Sequence, residues 1–332
     1  MKTRLAAQAG PGERAAQLLA GVAMLMVAIA AQAQSYPVKP VRMIVPFPPG
    51  GAPDFVPRML AERITPGFGQ PMVIENRSGA AGMIAAENVA AAAPDGYTLL
   101  HTTSGTHVTP IFLAKNLRYD PVKDFTPISI DVEATLYLIA NPGLPANTMS
   151  ELIDYAKRNP GKLNYGSSGI GSLYHLSGEL IRISAGLDLV HVPYKGSPQT
   201  VPDLIAGQIM LSFGGANILP HVKSGKIKIL ALLEDKRLPG WPGAPAITET
   251  VPGYRKLPTW FGVLGPAGMP APVVTRLQNE FIRAVNAPEL RARWDEGGFV
   301  IVGGTAEQFA ATLKSDIEIT GRIVKAANIR PE

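Results

Sequence analysis

In two loops of this 332-residue chain, backbone groups rather than reactive side chains are the groups available for chemistry. Residues 47–54 (the proline–glycine loop) read FPPGGAPD, and residues 166–172 (the serine loop) read GSSGIGS. Each loop follows a short apolar run and precedes an amphipathic one, which predicts a turn from a strand into a helix. Unpaired N–H groups at a helix start attract anions, and serine hydroxyls add donors. Both loops therefore predict a site for a carboxylate or phosphate.

Asp54 closes the proline–glycine loop and has two interpretations. In the first, it is an acidic residue of the first helical turn that complements the helix dipole. In the second, its carboxylate fixes ordered waters over a bound ligand.

Residues able to do covalent or metal chemistry are few and scattered. The chain has no cysteine, which excludes disulfides, thiolate metal sites and cysteine nucleophiles. It contains no HExxH, GxSxG, dinucleotide-binding or P-loop pattern. The histidines, none at a metal-ligand spacing, are His101, His107, His175, His191 and His221. We predict no catalytic residues, no metal and no cofactor.

A bracing role for His175 and a catalytic role for two serines follow as a prediction and an alternative. His175 follows the serine loop by one helical turn, and we predict that it braces this loop. An esterase-like enzyme is the least supported alternative, and it would use Ser104 or Ser168 with a histidine.

The first 33 residues predict an export signal. Basic residues at positions 2, 4 and 14 precede an apolar run at 18–31, which is too short for a comfortable membrane span. Small residues at 31 and 33 predict cleavage after residue 33. Because there is no cysteine to acylate, we expect no lipid anchor, and the processed protein should be free in the periplasm.

The charge of the processed chain excludes a nucleic-acid partner. The leader holds three basic residues and one acidic residue, so its removal leaves a formal charge of +3 rather than +5. No basic run occurs elsewhere, and a surplus this small is not typical of nucleic-acid binding.

Strand, glycine-containing loop and helix recur along the processed chain. Predicted strands at residues 41–46, 72–75 and 97–101 form one series. A second series begins at 136–140 and continues with strands at 163–165, 188–193 and 209–213. This order is typical of parallel sheets with crossover helices, in which ligands bind at the carboxyl ends of the strands. Residues 227–233 are predicted to cross back to the first lobe.

Longer motifs occur in order along nearly the whole processed chain. They are YPVKPVR at 36–42, IVPFPPGG at 44–51, VIENR at 73–77, APDGYTL at 93–99, YDPVKDF at 119–125, PGKLNY at 160–165, HVPYKG at 191–196 and WFG at 260–262. Together they resemble the tripartite tricarboxylate transporter substrate-binding proteins, the TctC or Bug family.

The resemblance implies an α/β chain with the type II periplasmic binding-protein fold, in which two lobes close on a ligand. Lobe I would comprise residues 34–135 and 230–332, and lobe II residues 136–229. The family's members bind small carboxylates, and many deliver them to a two-component membrane permease. We therefore expect a monomeric binding protein and no enzyme. The alternative partner is a membrane sensor kinase to which the ligand-bound protein would present itself.

The resemblance also implies which residues bind the ligand. In the first lobe they are Phe47, Pro49, Gly50, Gly51, Ala52, Asp54, Ser104, Gly105 and Thr106. In the second lobe they are Ser167, Ser168, Gly169, Ile170, Gly171, Ser172, His175, Tyr194, Gly196, Gly214, Gly215 and Asn217, with Ser197 in the same segment as Tyr194.

Four residues, in three segments, depart from the family's common pattern. Pro53 replaces a threonine or serine and so lacks an N–H and a hydroxyl. Gly214 and Gly215 stand where relatives often have an aspartate, and Ile170 is often polar in relatives. The ligand is therefore predicted to be a carboxylate with an uncharged or aromatic body rather than an acidic amino acid.

Overall fold

The computed structural model describes residues 36–196, 199–238 and 243–330. The predicted signal peptide, its cleavage site and Ser197 lie outside this range. Its strands are β1 (Val41–Val45), β2 (Met72–Asn76), β3 (Thr98–Thr103), β4 (Phe125–Ala134), β5 (Tyr137–Ala140), β6 (Leu163–Ser167), β7 (Leu189–Pro193), β8 (Leu211–Gly214), β9 (Lys228–Leu232), β10 (Trp260–Pro266) and β11 (Phe299–Gly304).

The helices alternate with these strands for most of the chain. They are α1 (Ala52–Phe68), α2 (Met83–Ala90), α3 (Ser104–His107), α4 (Pro110–Leu113), α5 (Met149–Arg158), α6 (Leu173–Ala185), α7 (Thr200–Ile205), α8 (Leu219–Lys223), α9 (Ala271–Val285), α10 (Arg291–Glu296) and α11 (Ala306–Ala326). Single 3-10 turns cover Ala80–Gly82, Ala216–Ile218, Ile247–Glu249 and Pro288–Leu290.

The strands form two sheets of six and five strands. The first has the order β11-β4-β10-β3-β1-β2, and the second has the order β7-β6-β8-β5-β9. Strand β1 runs parallel to β2 and β3, and β6 runs parallel to β7 and β8. Strands β10, β11 and β5 pair antiparallel with their neighbours, so both sheets are mixed rather than purely parallel. The parallel strands are the ones whose connections contain helices, as a parallel crossover requires.

Each sheet is covered on both faces by apolar side chains. Met43, Phe261 and Phe281 belong to the core on one face of the six-stranded sheet, and Ile44 and Trp260 belong to the core on the other. Alternation along β1 and β10 explains this division, because successive strand residues point to opposite faces.

The chain passes between the sheets twice. It leaves the six-stranded sheet at Ala134 and enters the five-stranded sheet at Tyr137, and it returns between Leu232 and Trp260. The return predicted at residue 230 falls within β9, which pairs with β5 in the five-stranded sheet. The lobe boundaries remain a prediction, but the two sheets are formed by separate stretches of chain.

The C-terminal helix α11 joins both parts of the molecule. Its Phe309 and Leu313 pack in the core of the six-stranded sheet, whereas Ile323 and Val324 pack in the core of the five-stranded sheet. Among the described residues, no helix has the length and apolar character needed to cross a membrane.

Gly262 tests how tightly β10 is packed. A Cβ atom there would lie 2.8 Å from Phe309 Cζ and 2.9 Å from the carbonyl oxygen of Ser129. We expect Gly262→Ala to lower the free energy of unfolding by about 1–3 kcal/mol, because backbone cannot give way easily. Gly243→Ala is the control, since a Cβ atom at that position would have no neighbour within 4 Å. Urea unfolding of both variants measures the effect, and equal stability of the two would contradict this packing.

Candidate functional site

A cavity of about 780 Å³, here called the interlobe cleft, is lined by the loops that follow β1, β3, β6 and β8. Its volume is typical of small-molecule sites, which span roughly 300–1,000 Å³. The predicted site residues that line it are Phe47, Gly50, Gly51, Ala52, Ser104, Gly105, Ser168, Gly215 and Asn217. The other lining residues are Pro53, Phe55, Thr103, Ala134, Thr135, Leu136, Leu173, Tyr174, Ala216, Thr259, Phe261, Glu296, Gly297 and Phe299. The cleft therefore draws on both sheets.

A second chamber of about 490 Å³ adjoins the interlobe cleft. The two cavities share the lining residues Phe47, Thr103, Gly105, Ser168 and Leu173. Four more predicted residues line the second chamber, namely Thr106, Ile170, Gly171 and Ser172. Its walls are largely apolar because Met83, Pro110 and Leu113 contribute to them.

The remaining predicted residues line neither of these cavities. They are Pro49, Asp54, Ser167, Gly169, His175, Tyr194, Gly196 and Gly214. Asp54 and Ser167 are buried beneath the loops, and the Tyr194 hydroxyl donates to Asp203 Oδ2 at 2.6 Å. A direct role in ligand binding stays a prediction for all eight.

Asp54 holds the proline–glycine loop in place. Its Oδ2 accepts the Gly50 N–H at 3.0 Å, and both carboxylate oxygens accept the Arg58 guanidinium at 2.9–3.1 Å. Asn76 Nδ2 donates to Asp54 Oδ1 at 2.7 Å and to the Phe47 carbonyl at 3.0 Å. Asp54 is 4% exposed, so it shapes the loop from below.

The same contacts keep the Asp54 carboxyl ionised. The hydrogen bond from Arg58 is the largest cause that lowers the pKa of Asp54, from an ordinary 3.8 to about 2, and the donors on Asn76 and Gly50 act in the same direction. Burial opposes them. Gly50 has a φ of 99°, a left-handed conformation that glycine adopts without strain.

The start of α1 leaves two backbone donors facing the interlobe cleft. The Gly51 carbonyl accepts the N–H groups of Asp54 and Phe55 at 3.0 and 2.9 Å, and Pro53 has no N–H. The N–H groups of Gly51 and Ala52 have no acceptor within the part of the chain that the structure describes. Such donors at a helix start favour an anion.

The start of α6 repeats this arrangement on the other side of the cleft. Ser172 caps the helix by accepting the His175 N–H at 3.2 Å. The N–H groups of Leu173 and Tyr174, which line the cleft, have no acceptor among the described residues. Residues with such donors therefore line the interlobe cleft at the starts of both helices.

Two shorter turns add further backbone donors. Ser104 begins α3, but its hydroxyl is already used, since it donates to the Pro258 carbonyl at 2.7 Å. The backbone N–H groups of Ser104 and Gly105 lack acceptors within residues 36–196, 199–238 and 243–330. The same is true of Ala216 and Asn217 at the start of the 3-10 turn after β8.

Charged side chains are scarce around the interlobe cleft. Among its described lining residues, Glu296 alone carries a formal charge, and it is exposed at the end of α10. Sequence reasoning missed Glu296, because nothing in the local pattern marks the end of a helix as a cleft wall. It also missed the aromatic walls formed by Tyr174 and Phe299, whereas the WFG motif had already singled out Phe261.

The serine–histidine geometry does not support a nucleophile in the cleft. The Ser104 hydroxyl is bound to a carbonyl, and no hydrogen bond joins Ser168 to a histidine within the described ranges. The close pair is Ser167 Oγ and His191 Nε2 at 2.7 Å, but Ser167 is fully buried and lines neither cavity.

Comparisons with known proteins agree with this architecture. Residues 56–329 match the family model described as tripartite tricarboxylate transporter family receptor. Rpa4515 of R. palustris, solved with adipate, is 34% identical, with a TM-score of 0.79 over 90% of this chain and 100% of that one. The periplasmic binding protein BugD is 33% identical, with a TM-score of 0.75 over 90% and 100%. MatC of Rhodopseudomonas palustris, solved with malate, is 31% identical, with a TM-score of 0.74 over 87% and 100%.

Removal of the Asp54 carboxylate should destabilise the protein in a pH-dependent way. At pH 7 we expect Asp54→Ala to lower the free energy of unfolding by about 1–3 kcal/mol, because it leaves polar groups without their partner. The pKa of Asp54 is lower in the fold than its ordinary value, so its contribution is complete above about pH 4 and is lost as the pH falls towards 2.

Chemical unfolding at pH 7 and pH 3 measures this difference between wild type and variant. Glu62→Ala is the control, since Glu62 is an exposed residue of the same helix. An equal effect of Asp54→Ala at both pH values, or none at either, would contradict the bracing role.

Proposed function

This chain belongs to the tripartite tricarboxylate transporter receptor family, and we propose that it is a periplasmic solute-binding protein that captures a small carboxylate in the interlobe cleft. The predicted family and the α/β binding-protein fold are both confirmed. The single observation that carries the proposal is that residues at the starts of α1 and α6 line one cavity and have backbone N–H groups without an acceptor among the described residues.

A carboxylate fits these donors better than a cation or a neutral solute. Helix starts carry partial positive charge, and N–H groups without acceptors are costly to bury unless a ligand completes them. Adipate and malate, the ligands of the similar proteins Rpa4515 and MatC, are both small carboxylates. Recognition by backbone also avoids the cost of desolvating a buried arginine or lysine.

The walls of the cleft favour a ligand body without a positive charge. Phe47, Leu136, Phe261 and Phe299 present apolar surface, and Gly215 adds no side chain to the wall. Glu296 is exposed, so solvent screens its attraction for an ammonium group. We therefore infer a carboxylate whose remaining part is uncharged or aromatic.

Binding is coupled to closure of the two lobes. A ligand that contacts both the α1 start and the α6 start stabilises only the closed form, because no open form presents both sets of donors at once. The ligand-bound, closed molecule would then deliver its carboxylate to a two-component membrane permease. A monomer is the simplest state for a protein that opens and closes, and no catalytic step is part of this function.

A thermal-shift screen tests the ligand class. We expect a monocarboxylate, dicarboxylate or aromatic acid to raise the melting temperature, and a ligand at about 100 times its dissociation constant adds roughly 2.7 kcal/mol of stability. Aspartate and glutamate should have less effect than malate or adipate. If a neutral sugar raises the melting temperature and every carboxylate leaves it unchanged, the proposal fails.

Gly51→Val should weaken carboxylate binding without unfolding the protein. Gly51 has a φ of −91°, and a Cβ atom there would meet only Pro53 Cδ at 3.5 Å, so the fold accepts a side chain. The added methyl groups occupy cleft space beside the Gly51 N–H, and we expect affinity to fall at least about tenfold, or roughly 1.4 kcal/mol.

Isothermal titration with the carboxylate that gives the largest thermal shift measures this loss. Gly253→Val is the matched control, because Gly253 is exposed. A Cβ atom added there would have Ser184 Cβ, at 4.0 Å, as its single neighbour among the described residues. Unchanged affinity in Gly51→Val would remove the proline–glycine loop from the site.

A further inference from the structure

Two histidine rings stack directly behind the serine loop. The rings of His175, in the first turn of α6, and His191, on β7, have centroids 3.9 Å apart and planes inclined by 6°. Both side chains hydrogen-bond to serine-loop residues. Neither histidine lines the interlobe cleft, so any effect on a ligand must act through the loop.

The bond made by His175 requires a neutral ring. The Gly171 N–H donates to His175 Nδ1 at 2.9 Å, so this nitrogen must carry a lone pair and the ring proton must sit on Nε2. Gly171 has a φ of 73° and packs where a side chain would strike Leu113, so this conformation of the loop requires glycine at position 171. Protonation of Nδ1 would replace this hydrogen bond by two opposed N–H groups.

His191 supports the same loop from the other side. Its Nε2 lies 2.7 Å from Ser167 Oγ, which also accepts the Gly169 N–H at 3.2 Å. Ser167 Oγ can serve either tautomer of His191, because the Gly169 carbonyl, 3.1 Å away, can take the hydroxyl proton. Because the hydrogen bond to Ser167 forms with either tautomer, it does not depend on which ring nitrogen of His191 carries the proton. His191 therefore acts on the loop mainly through its stacked position, since a positive charge on its ring would repel a protonated His175.

Two sets of groups surround the pair of rings. Glu179, on α6, faces the rings, but its carboxylate already accepts the Tyr165 hydroxyl and Arg182 Nε, each at 2.9 Å. The C-terminal segment faces the pair through Ala327, Asn328, Ile329 and the charged Arg330, across a cavity of about 370 Å³ that gives water access.

Burial is the largest cause that lowers the pKa of both histidines. It is opposed at His175 by Glu179. The pKa of His191 falls to about 4, with burial first and repulsion from His175 second, while Glu179 acts in the opposite direction. Both rings are therefore uncharged at neutral pH when the loop is formed.

We propose that His175 is a positioning residue that holds the serine loop through a neutral ring, with His191 stacked on it, so that carboxylate affinity falls when the pair takes up a proton. This inference rests on the proposed function, because it assumes that the serine loop and the start of α6 bind the ligand. A histidine released from the loop returns towards its ordinary pKa of about 6.5 and gains a proton below it. Acid therefore favours the released loop.

Hydrogen exchange of the ligand-free protein tests the loop directly. After correction for intrinsic exchange rates, we expect the hydrogen-bonded amides of Gly169, Gly171 and Ser172 to lose protection by about tenfold between pH 7.5 and pH 5, because a proton binds the released state more tightly. His175→Asn should keep protection at both pH values, since its amide oxygen can accept the Gly171 N–H near the former Nδ1 position and does not titrate. His175→Leu, which has no acceptor, should lack protection at both.

His221→Asn is the matched control, because His221 lies on α8 and takes no part in the loop contacts. It should behave as wild type. Protection that is equal at both pH values in the wild type, or a His175→Asn variant that still loses protection in acid, would overturn the proposal.

A binding arm separates this inference from the proposed function. Titration with adipate and malate, with affinities expressed per concentration of fully ionised ligand, should give an affinity about tenfold weaker at pH 5 than at pH 7.5 in the wild type, and an unchanged affinity across this range in His175→Asn. A pH-independent affinity in the wild type would overturn the inference while leaving carboxylate binding intact. Carboxylates that bind at neither pH would count against the proposed function, whereas the exchange result would still decide the role of His175.

Discussion

An anion site built from backbone N–H groups depends on loops that keep their shape before the ligand arrives. If these loops collapsed, their donors would find internal acceptors and the site would vanish. Asp54 prevents this in the proline–glycine loop, because it binds Gly50 N–H while Asn76 holds the Phe47 carbonyl. The acceptor on His175 has the corresponding place in the serine loop. Buried polar groups thus fix the loop conformation, while the N–H groups of Gly51 and Ala52, which line the cleft, have no acceptor in the part of the chain that the structure describes.

The site also requires that the start of α1 and the start of α6 be held at the same cavity. The connections between the two sheets determine how these two helix starts are placed. Lys256 Nζ lies 2.5 Å from Glu133 Oε2, near the end of β4, and 2.8 Å from Glu234 Oε2, just after β9. Ser104 ties the same return segment to α3 through the Pro258 carbonyl. Opposite charges and a buried hydroxyl therefore fasten the two crossings together at the base of the cleft.

Local patterns in the sequence predicted the loops, the strand–helix order, the family and the fold. They could not predict β4 and β11. Strand β4 carries Ser129, Asp131 and Glu133, and a run with these polar residues does not read as a buried strand, yet Ser129 and Asp131 are buried in the structure. The hydrogen bond of the Ser104 hydroxyl and the stacking of His175 on His191 could not be predicted from local patterns either. Each depends on residues far apart in the chain, and spacing along the sequence carries no information about such contacts.

When a ligand is recognised by backbone N–H groups, the groups that provide affinity are different from those that provide selectivity. N–H groups at helix starts complement any carboxylate, so the donors around Gly51 and Tyr174 set the charge of the ligand and say little about its body. Side chains must set the rest. The interlobe cleft continues into the second chamber past Phe47 and Ser168, where the apolar residues Leu113 and Ile170 form part of the wall. A ligand longer than the cleft would extend its body into this chamber, where a second carboxylate would meet Arg330 among mainly apolar walls. Under the proposed function, substitutions at the chamber wall would change which carboxylate binds, while the glycines and serines proposed to hold its charge stay the same.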